Sequence, residues 1–201
     1  SNYDLDKRTM KKAKTELSKN KIVTNKFNHK NFKDFYQSYF ISKQNLFPLV
    51  DAKLAVSKDY FTIKKQKWIT NISSRKRAHL IRSEYNAIIS TSKSINADNS
   101  KLNCRLNGFN HSKPDLIIID IKMKLKKNLS LFKIKKRKII IITSNIKYKK
   151  LSFFKKKNIK IIYIRSLKTK NDFSNLLLLL NKHQYQRILV ESGLTFLNTL
   201  L

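Results

Sequence analysis

Short runs of β-branched and leucine residues recur along this chain, and stretches with helical character separate them. The segments Leu116–Ile121 and Ile139–Thr143 consist almost entirely of Ile and Leu, a pattern typical of parallel strands that are buried on both faces. We predict a further buried strand at Ile159–Ile164. Because strand and helix alternate from about residue 48 onward, the sequence predicts an α/β domain with a mostly parallel central sheet and helices on both faces.

The other predicted elements of this domain are strands at 48–56, 86–90 and 187–191 and helices at 73–85, 151–157, 172–182 and 194–201. Residues 1–45 follow a different pattern, with helices at 4–20 and 31–42 and a short strand at 22–26. The second helix carries a stripe of aromatic residues that we expect to be buried, namely Phe32, Phe35, Tyr36, Tyr39 and Phe40. We therefore divide the chain into residues 1–45 and 46–201.

Scarce glycine and cysteine exclude several kinds of site. The chain has 2 Gly in 201 residues, Gly108 and Gly193, whereas a P-loop needs two glycines at fixed spacing and a dinucleotide-binding Rossmann turn needs three. The single Cys104 excludes an intrachain disulfide and a multi-cysteine zinc site. The four histidines have no spacing that suits a metal ion, so we expect no metal site.

The formal net charge is +33, which first suggests a nucleic acid or an anionic membrane as partner. Basic clusters occur at 133–138, 147–150 and 155–157, but lysine is spread along the whole chain. The abundant residues have A/T-rich codons, so compositional drift is the favoured explanation and nucleic-acid binding the alternative. No apolar run approaches the roughly 18 residues that span a bilayer, and residues 1–9 contain no apolar stretch, so we expect a cytoplasmic protein.

Polar residues follow several predicted strands, and ligands of open α/β sheets bind at the carboxyl ends of strands. Lys53 lies in the first predicted strand, Asp98 and Arg105 lie in the loop after the second, and Glu191 ends the last. Lys53, Arg82 and Arg105 are candidates for neutralising a phosphate, while Asp98 and Glu191 are candidates for orienting hydroxyls or relaying a proton. Taken singly, each is more often a salt-bridged or solvated residue.

Five motifs stand in a fixed order in the same part of the chain. They are KLAVSKDY at 53–60, WIT at 68–70, SR with His79, Arg82 and NAI at 74–88, SINADNSKLNCR at 94–105, and ILVESGLT at 188–195. Their order and spacing resemble the reductase domain of the riboflavin-biosynthesis bifunctional deaminase–reductase over Pro48–Leu201.

The resemblance implies a dihydrofolate-reductase-like fold and an NADPH-dependent reduction of 5-amino-6-(5-phosphoribosylamino)uracil to its ribityl form, with hydride delivered to the sugar C1′. It implies that residues 1–45 are the tail of an upstream zinc deaminase domain. It also implies further strands beyond Leu201 that complete the sheet and support a homodimer, so the domain is expected to be C-terminally incomplete.

The resemblance also assigns roles to individual residues. They are Lys53, Asp98 and Glu191 for catalysis, Arg82, Leu102 and Arg105 for the substrate, and Ala55, Trp68, Thr70, Ser94, Gly193 and Thr195 for the cofactor. Tyr60, Ser192 and Leu194 stand where the family has Gly, Gly and Pro, and a side chain at a close backbone approach would weaken cofactor binding. The alternatives are a basic nucleic-acid-binding protein and an inactive scaffold on the same fold.

Overall fold

The computed structural model describes residues 12–25, 30–62, 69–109, 114–145 and 150–200. Its helices and strands, in chain order, are α1 (Lys12–Lys19), α2 (Lys30–Asn45), β1 (Leu49–Ala52), α3 (Ile72–Ser83), β2 (Ala87–Thr91), α4 (Ser92–Asp98), β3 (Asp115–Ile119), β4 (Ile139–Thr143), α5 (Leu151–Lys156), β5 (Lys160–Tyr163), α6 (Lys170–Lys182), β6 (Arg187–Val190) and α7 (Leu194–Leu200). A 3-10 turn at Ser130–Lys133 precedes β4.

The strands of the described residues form one six-stranded sheet in the order β1-β6-β2-β3-β4-β5. The pairs β6–β2, β2–β3, β3–β4 and β4–β5 are parallel. β1 also runs parallel to β6, because the Leu49 amide donates to the Gln186 carbonyl and, four residues further along both chains, the Lys53 amide donates to the Val190 carbonyl. The predicted α/β class with a parallel sheet is confirmed.

The central strands β3 and β4 are mostly apolar, as expected for strands of a sheet that is covered on both faces. Ile118 and Ile141 belong to a core cluster that also contains Ile95 of α4 and Phe154 of α5. Every residue of β4 is buried, including Ile140, which points away from that cluster, so the opposite face is also shielded from solvent. This explains why β3 and β4 were predictable from their runs of isoleucine.

β5 differs from the prediction of a buried strand at 159–164. It lies at the edge of the sheet, where Lys160 and Tyr163 are exposed and the two isoleucines between them are only half-buried. An edge strand has a neighbour on one side only and is less completely covered. The predicted location of β5 is correct, and its predicted burial is wrong.

Two more predictions near the candidate site need correction. The first strand ends at Ala52 rather than at residue 56, so Lys53 lies just beyond β1 and not inside it. Asp98 is the last residue of α4 rather than part of a loop. α4 was missed because its seven mostly polar residues have no apolar periodicity, and the signal for it is Thr91, whose side chain caps the helix by accepting from the Ser94 amide at 3.3 Å.

The chain divides into two compact units. The larger unit comprises Val50–Leu176 and Arg187–Leu201, and the smaller comprises the residues up to Leu49 together with Leu177–Gln186. In the smaller unit, residues 22–25 are irregular, so the strand predicted at 22–26 is wrong for its described part. The Ile22 amide instead donates to Leu17 and the Lys21 amide to Ser18. With Lys21 at φ 57°, these bonds close the end of α1 as a Schellman cap.

The buried face of α2 also differs from the prediction. Ser38 and Ser42 are buried, whereas Tyr36 is 46% exposed; the side chains of Phe32 and Phe35 lie outside the described set. The Ser42 hydroxyl donates to Asn181 Oδ1 at 2.9 Å, and Asn181 in turn donates to the Leu46 carbonyl at 2.8 Å. These two hydrogen bonds satisfy the polar groups of Ser42 and Asn181, which would otherwise be costly to bury. That residues 1–45 are a deaminase tail stays a prediction.

Candidate functional site

The carboxyl ends of β1, β6 and β2 lie side by side, and a polar residue ends or follows each of them. Lys53 follows β1, Glu191 follows β6, and Thr91 ends β2. The Lys53 amide donates to the Val190 carbonyl and the Glu191 amide to the Ile89 carbonyl, each at 2.9 Å. These bonds continue the sheet ladder past the strand ends and thereby fix the backbone of both charged residues.

Glu191 is the centre of a partly buried ion cluster with Lys53 and Arg82. Its side chain is 5% exposed, and Lys53 Nζ lies 2.9 Å from Oε2. Arg82 donates from Nε to Oε1 at 2.5 Å and from Nη2 to Oε2 at 2.9 Å, which is the bidentate geometry that a guanidinium offers to a carboxylate. Two cations therefore share one carboxylate, and the cluster keeps a net positive charge.

Protonation of Glu191 is disfavoured in this arrangement. Burial by itself would raise the pKa of the Glu191 carboxyl, but the hydrogen bonds and charge of Arg82, followed by those of Lys53, lower that pKa overall. Glu191 is therefore a fixed negative charge at neutral pH. Its charge holds the Lys53 ammonium in place by an ion pair. The Lys53 side chain remains 31% exposed to solvent.

Asn103 connects this cluster to the loop after α4. Its carbonyl accepts from His79 Nδ1 at 2.9 Å and from Arg82 Nη1 at 3.3 Å. Its side-chain Oδ1 accepts from Arg105 Nη1 at 2.8 Å. One buried asparagine thus ties two residues of α3 to the predicted substrate residue Arg105, and its neighbour Leu102 is buried in the core.

His79 is neutral in this setting. Burial lowers the pKa of the ring, and the charges of Arg105 and Arg82 lower it further. Because a carbonyl can only accept, the bond to Asn103 places the ring hydrogen on Nδ1. Partial burial of the otherwise exposed Arg105 side chain, followed by the charge of Arg82, likewise lowers the pKa of Arg105.

We expect the unfolding free energy to fall between pH 7 and pH 5.5 partly because of His79. With its folded pKa below 6.5, the unfolded chain binds a proton in this range that the folded chain does not, so acidification favours unfolding. His79→Asn keeps an N–H donor near the position of Nδ1 and should show a weaker pH dependence in urea denaturation. His183→Asn, at an exposed site, is the matched control. Equal pH dependence in His79→Asn and the parent would contradict this assignment.

A second polar group, which we name the hydroxyl cluster, joins Thr91, Ser94 and Ser192. Thr91 Oγ1 lies 3.1 Å from Ser94 Oγ and 3.2 Å from Ser192 Oγ. The Gly193 amide donates to Ser94 Oγ at 3.4 Å. Hydroxyls and a backbone N–H from the ends of β2 and β6 therefore converge, and such donors suit phosphate or sugar oxygens.

The structure thus brings together many, though not all, of the predicted site residues. Lys53, Arg82 and Glu191 are in direct contact, and Leu102 and Arg105 flank Asn103. Ser94 and Gly193 meet in the hydroxyl cluster. The hydrogen bonds and ion pairs of these clusters do not include Ala55, Thr70, Asp98 or Thr195, and Trp68 lies outside the described residues.

His79 and Asn103 are site residues to which the sequence assigned no role. The available signal for His79 is its position three residues before Arg82, which places both side chains on one face of α3. Asn103 contributes partly through its backbone carbonyl, a group that every residue carries. Its residue type therefore does not indicate this part of its role.

Two classes of site find no support in the part of the chain that the structure describes. There, no group of three or more His, Cys, Asp or Glu side chains is arranged to hold a metal ion. No helix among those residues has the length and hydropathy that crossing a bilayer requires.

The fold is similar to that of several solved structures. RibD of Acinetobacter baumannii (form 2) gives a TM-score of 0.80 at 19% identity over 98% of this chain. The Thermotoga maritima diaminohydroxyphosphoribosylaminopyrimidine deaminase/5-amino-6-(5-phosphoribosylamino)uracil reductase gives 0.66 at 20% over 81%. The Saccharomyces cerevisiae riboflavin biosynthesis reductase Rib7 gives 0.59 at 20%, covering 85% of this chain and 76% of the yeast protein. A comparison with curated proteins found no match.

This chain spans 54% of the Acinetobacter protein and 44% of the Thermotoga protein, or about half of each. The model of one protein family, described as the RibD C-terminal domain, matches residues 48–201. That match covers the sheet from β1 to β6 together with both polar clusters, and it confirms the resemblance predicted from the five motifs. The chain belongs to the RibD C-terminal domain family.

Proposed function

We propose that this domain catalyses the pyrimidine-reductase step of riboflavin biosynthesis, the reduction of 5-amino-6-(5-phosphoribosylamino)uracil to its ribityl form. The observation that carries the proposal is the convergence of Lys53, Arg82 and Glu191 at the ends of β1 and β6, inside the matched family region. The names of the Thermotoga and yeast proteins, a uracil reductase and a riboflavin biosynthesis reductase, support it.

Arg105 is the residue that we assign to the substrate phosphate. Arg82 directs Nε and Nη2 to Glu191, so its bidentate edge is already engaged. Arg105 gives one N–H of Nη1 to Asn103 and belongs to an exposed part of the loop. A guanidinium offers five N–H donors in a planar fork, so Arg105 retains donors for phosphate oxygens while Arg82 adds positive potential beside it.

Lys53 is the residue that we assign to proton delivery. Opening the ribosyl ring breaks the bond between C1′ and the ring oxygen, and that oxygen must take a proton as C1′ is reduced. The Lys53 ammonium carries protons on Nζ, and its partly exposed side chain lets solvent restore them. The Glu191 carboxylate, 2.9 Å from Lys53 Nζ, orients the ammonium. Asp98, exposed at the end of α4, stays a proposed catalytic residue.

The hydroxyl cluster is where we place the phosphates of NADPH, with Ala55, Trp68, Thr70 and Thr195 as further proposed contacts. The donors fit: Ser94 Oγ lies 3.5 Å from Ser192 Oγ and 3.4 Å from the Gly193 amide nitrogen. Gly193 also leaves room for an approaching group, since the nearest atom to an added Cβ is Ser94 Oγ at 3.9 Å. When bound, the dihydronicotinamide supplies the hydride for the reduction.

Gly193→Ala is expected to raise the KM for NADPH about tenfold, because a methyl group would occupy the approach to the phosphates. The unfolding free energy should stay unchanged, since an added Cβ makes only an ordinary contact. Gly108→Ala is the matched control: at φ +82° it should destabilise the fold by about 1 kcal/mol and leave the KM alone. An unchanged KM in Gly193→Ala would contradict the placement of the phosphates.

The direct test is an assay with the phosphoribosylamino substrate and NADPH. We expect loss of NADPH absorbance and formation of the ribityl product, for this chain and for the natural gene product that contains it. Lys53→Met should lower kcat by about a hundredfold, while Lys58→Met, an exposed lysine of the same segment, should not. Absence of turnover by the natural gene product would reject the proposal.

We further propose that residues 1–45 are the tail of an upstream deaminase domain. The similarity to Acinetobacter RibD extends over 98% of this chain, beyond the residues that the family model matches, and the Thermotoga protein is a deaminase and a reductase by name. Zinc analysis and deaminase assays of the natural gene product test this proposal, and a gene without an upstream zinc-deaminase sequence would reject it.

A further inference from the structure

Arg137 lies two residues before β4 and directs its whole guanidinium at main-chain carbonyls. Nε donates to Pro114 at 2.8 Å, Nη1 to Lys101 at 2.5 Å and Nη2 to Leu102 at 2.5 Å. Burial lowers the pKa of Arg137 to about 10, so the group is still charged at neutral pH. A half-buried cation whose hydrogen bonds all go to carbonyls is costly to place, which indicates a specific task.

The task that the contacts indicate is to fix the loop 101–105. Leu102 adopts φ 49°, a left-handed conformation that residues other than glycine rarely adopt because it is strained. Its carbonyl is held by Arg137 Nη2 while its side chain is buried in the core. Arg137 therefore stabilises a strained turn through the backbone carbonyl of Leu102, and it ties that turn to the residue before β3, Pro114.

The residue after this turn is Asn103, on which the site depends. Asn103 accepts from His79 and Arg82 through its carbonyl and from Arg105 through its side chain. A shift of the turn at Leu102 would move all three contacts together. Arg82 would lose a restraint on its bidentate contact with Glu191, and Arg105 would lose the partner that orients its guanidinium.

We propose that Arg137 is a positioning residue for the phosphoribosyl end of the site. It acts through the loop 101–105 and touches neither substrate nor cofactor; this inference rests on the proposed function. Lysine cannot replace Arg137, because an ammonium is a single point of charge and cannot reach three carbonyls from two chain segments.

The test compares Arg137→Lys and Arg137→Met with Ile139→Val, a conservative core substitution two residues away. We expect Arg137→Lys to raise the KM for the phosphoribosyl substrate and the dissociation constant of ribose 5-phosphate by about tenfold, the effect of roughly one lost hydrogen bond. The KM for NADPH should change less than twofold. Ile139→Val should lower the unfolding free energy. It should leave unchanged the ratio of the KM for the phosphoribosyl substrate to the KM for NADPH. If Arg137→Met fails to fold, the KM and dissociation-constant measurements on Arg137→Lys still test the inference.

Hydrogen exchange provides a readout that does not depend on turnover. The amides of residues 103–105 should exchange faster in Arg137→Lys than in the parent, and no such change should occur in Ile139→Val. Added methylguanidine should partly restore the substrate KM of Arg137→Met. Equal rises in both KM values, or unchanged exchange in the loop, would overturn the inference. A parent protein that binds no ribose 5-phosphate and shows no turnover would reject the proposed function instead.

Discussion

Glu191→Gln is expected to cost the fold about 3 kcal/mol of unfolding free energy, because removing one partner of a buried ion pair leaves its cations uncompensated. The change removes the charge that holds Lys53 and Arg82 while keeping the size of the side chain. The same substitution should lower kcat/KM about a hundredfold, since the Lys53 ammonium loses its orientation. Urea denaturation and steady-state kinetics measure the two effects separately.

Glu84→Gln is the matched control, because Glu84 is an exposed glutamate at the end of α3. It should change stability by less than about 0.5 kcal/mol. The pH dependence provides a further check: the lowered pKa of Glu191 means that its stabilisation is present above the ordinary glutamate pKa and is lost as the pH falls. Glu191→Gln should be less sensitive to acid in that range. A variant as stable and active as the parent would show that the ion cluster contributes nothing.

Arg105→Met is the second change with a large expected effect. It should raise the KM for the phosphoribosyl substrate about a hundredfold, since charge-assisted bonds to phosphate are among the strongest single contacts of a site. Arg105→Lys should raise it about tenfold, because a point charge replaces the fork. Stability should change little, as the residue is exposed.

A dephosphorylated substrate makes this test specific. The parent protein should lose affinity when the phosphate is removed, whereas Arg105→Met should bind both forms almost equally. Arg77→Met, an exposed arginine of α3, should retain full discrimination. If Arg105→Met still prefers the phosphorylated form as strongly as the parent does, another residue binds the phosphate.

The fold was largely predictable because its central strands carry their own signal. The isoleucine runs of β3 and β4 are strong β-formers with no polar face, and only a sheet covered on both sides suits them. The same composition in β5 led to a wrong expectation of burial, since periodicity describes which residues are apolar and not how many neighbours a strand has. The cap of α1 was missed because Lys21, rather than glycine, takes the left-handed position.

The candidate site was predictable only where function depends on a particular side chain. Lys53, Arg82 and Glu191 follow from motifs and meet as a cluster. Asn103 contributes a backbone carbonyl, which no motif records. Arg137 lies within the basic run 133–138, which the composition attributes to solvated surface or nucleic-acid binding, yet it is half-buried and its guanidinium donates to three carbonyls. Net charge and composition do not distinguish an arginine that is exposed to solvent from one whose guanidinium fixes a loop by hydrogen bonds.

The position of β6 in the sheet has a consequence for synthesis on the ribosome. Among the six strands of the described residues, β6 comes latest in the chain, yet it lies between β1, the first of them, and β2. β1 therefore has no neighbour until residues 187–190 have been synthesised, and pairings between such distant segments form slowly. A nascent chain stalled before residue 187 would hold β1 unpaired and sensitive to protease, whereas a chain that includes β6 would protect it in a single late step.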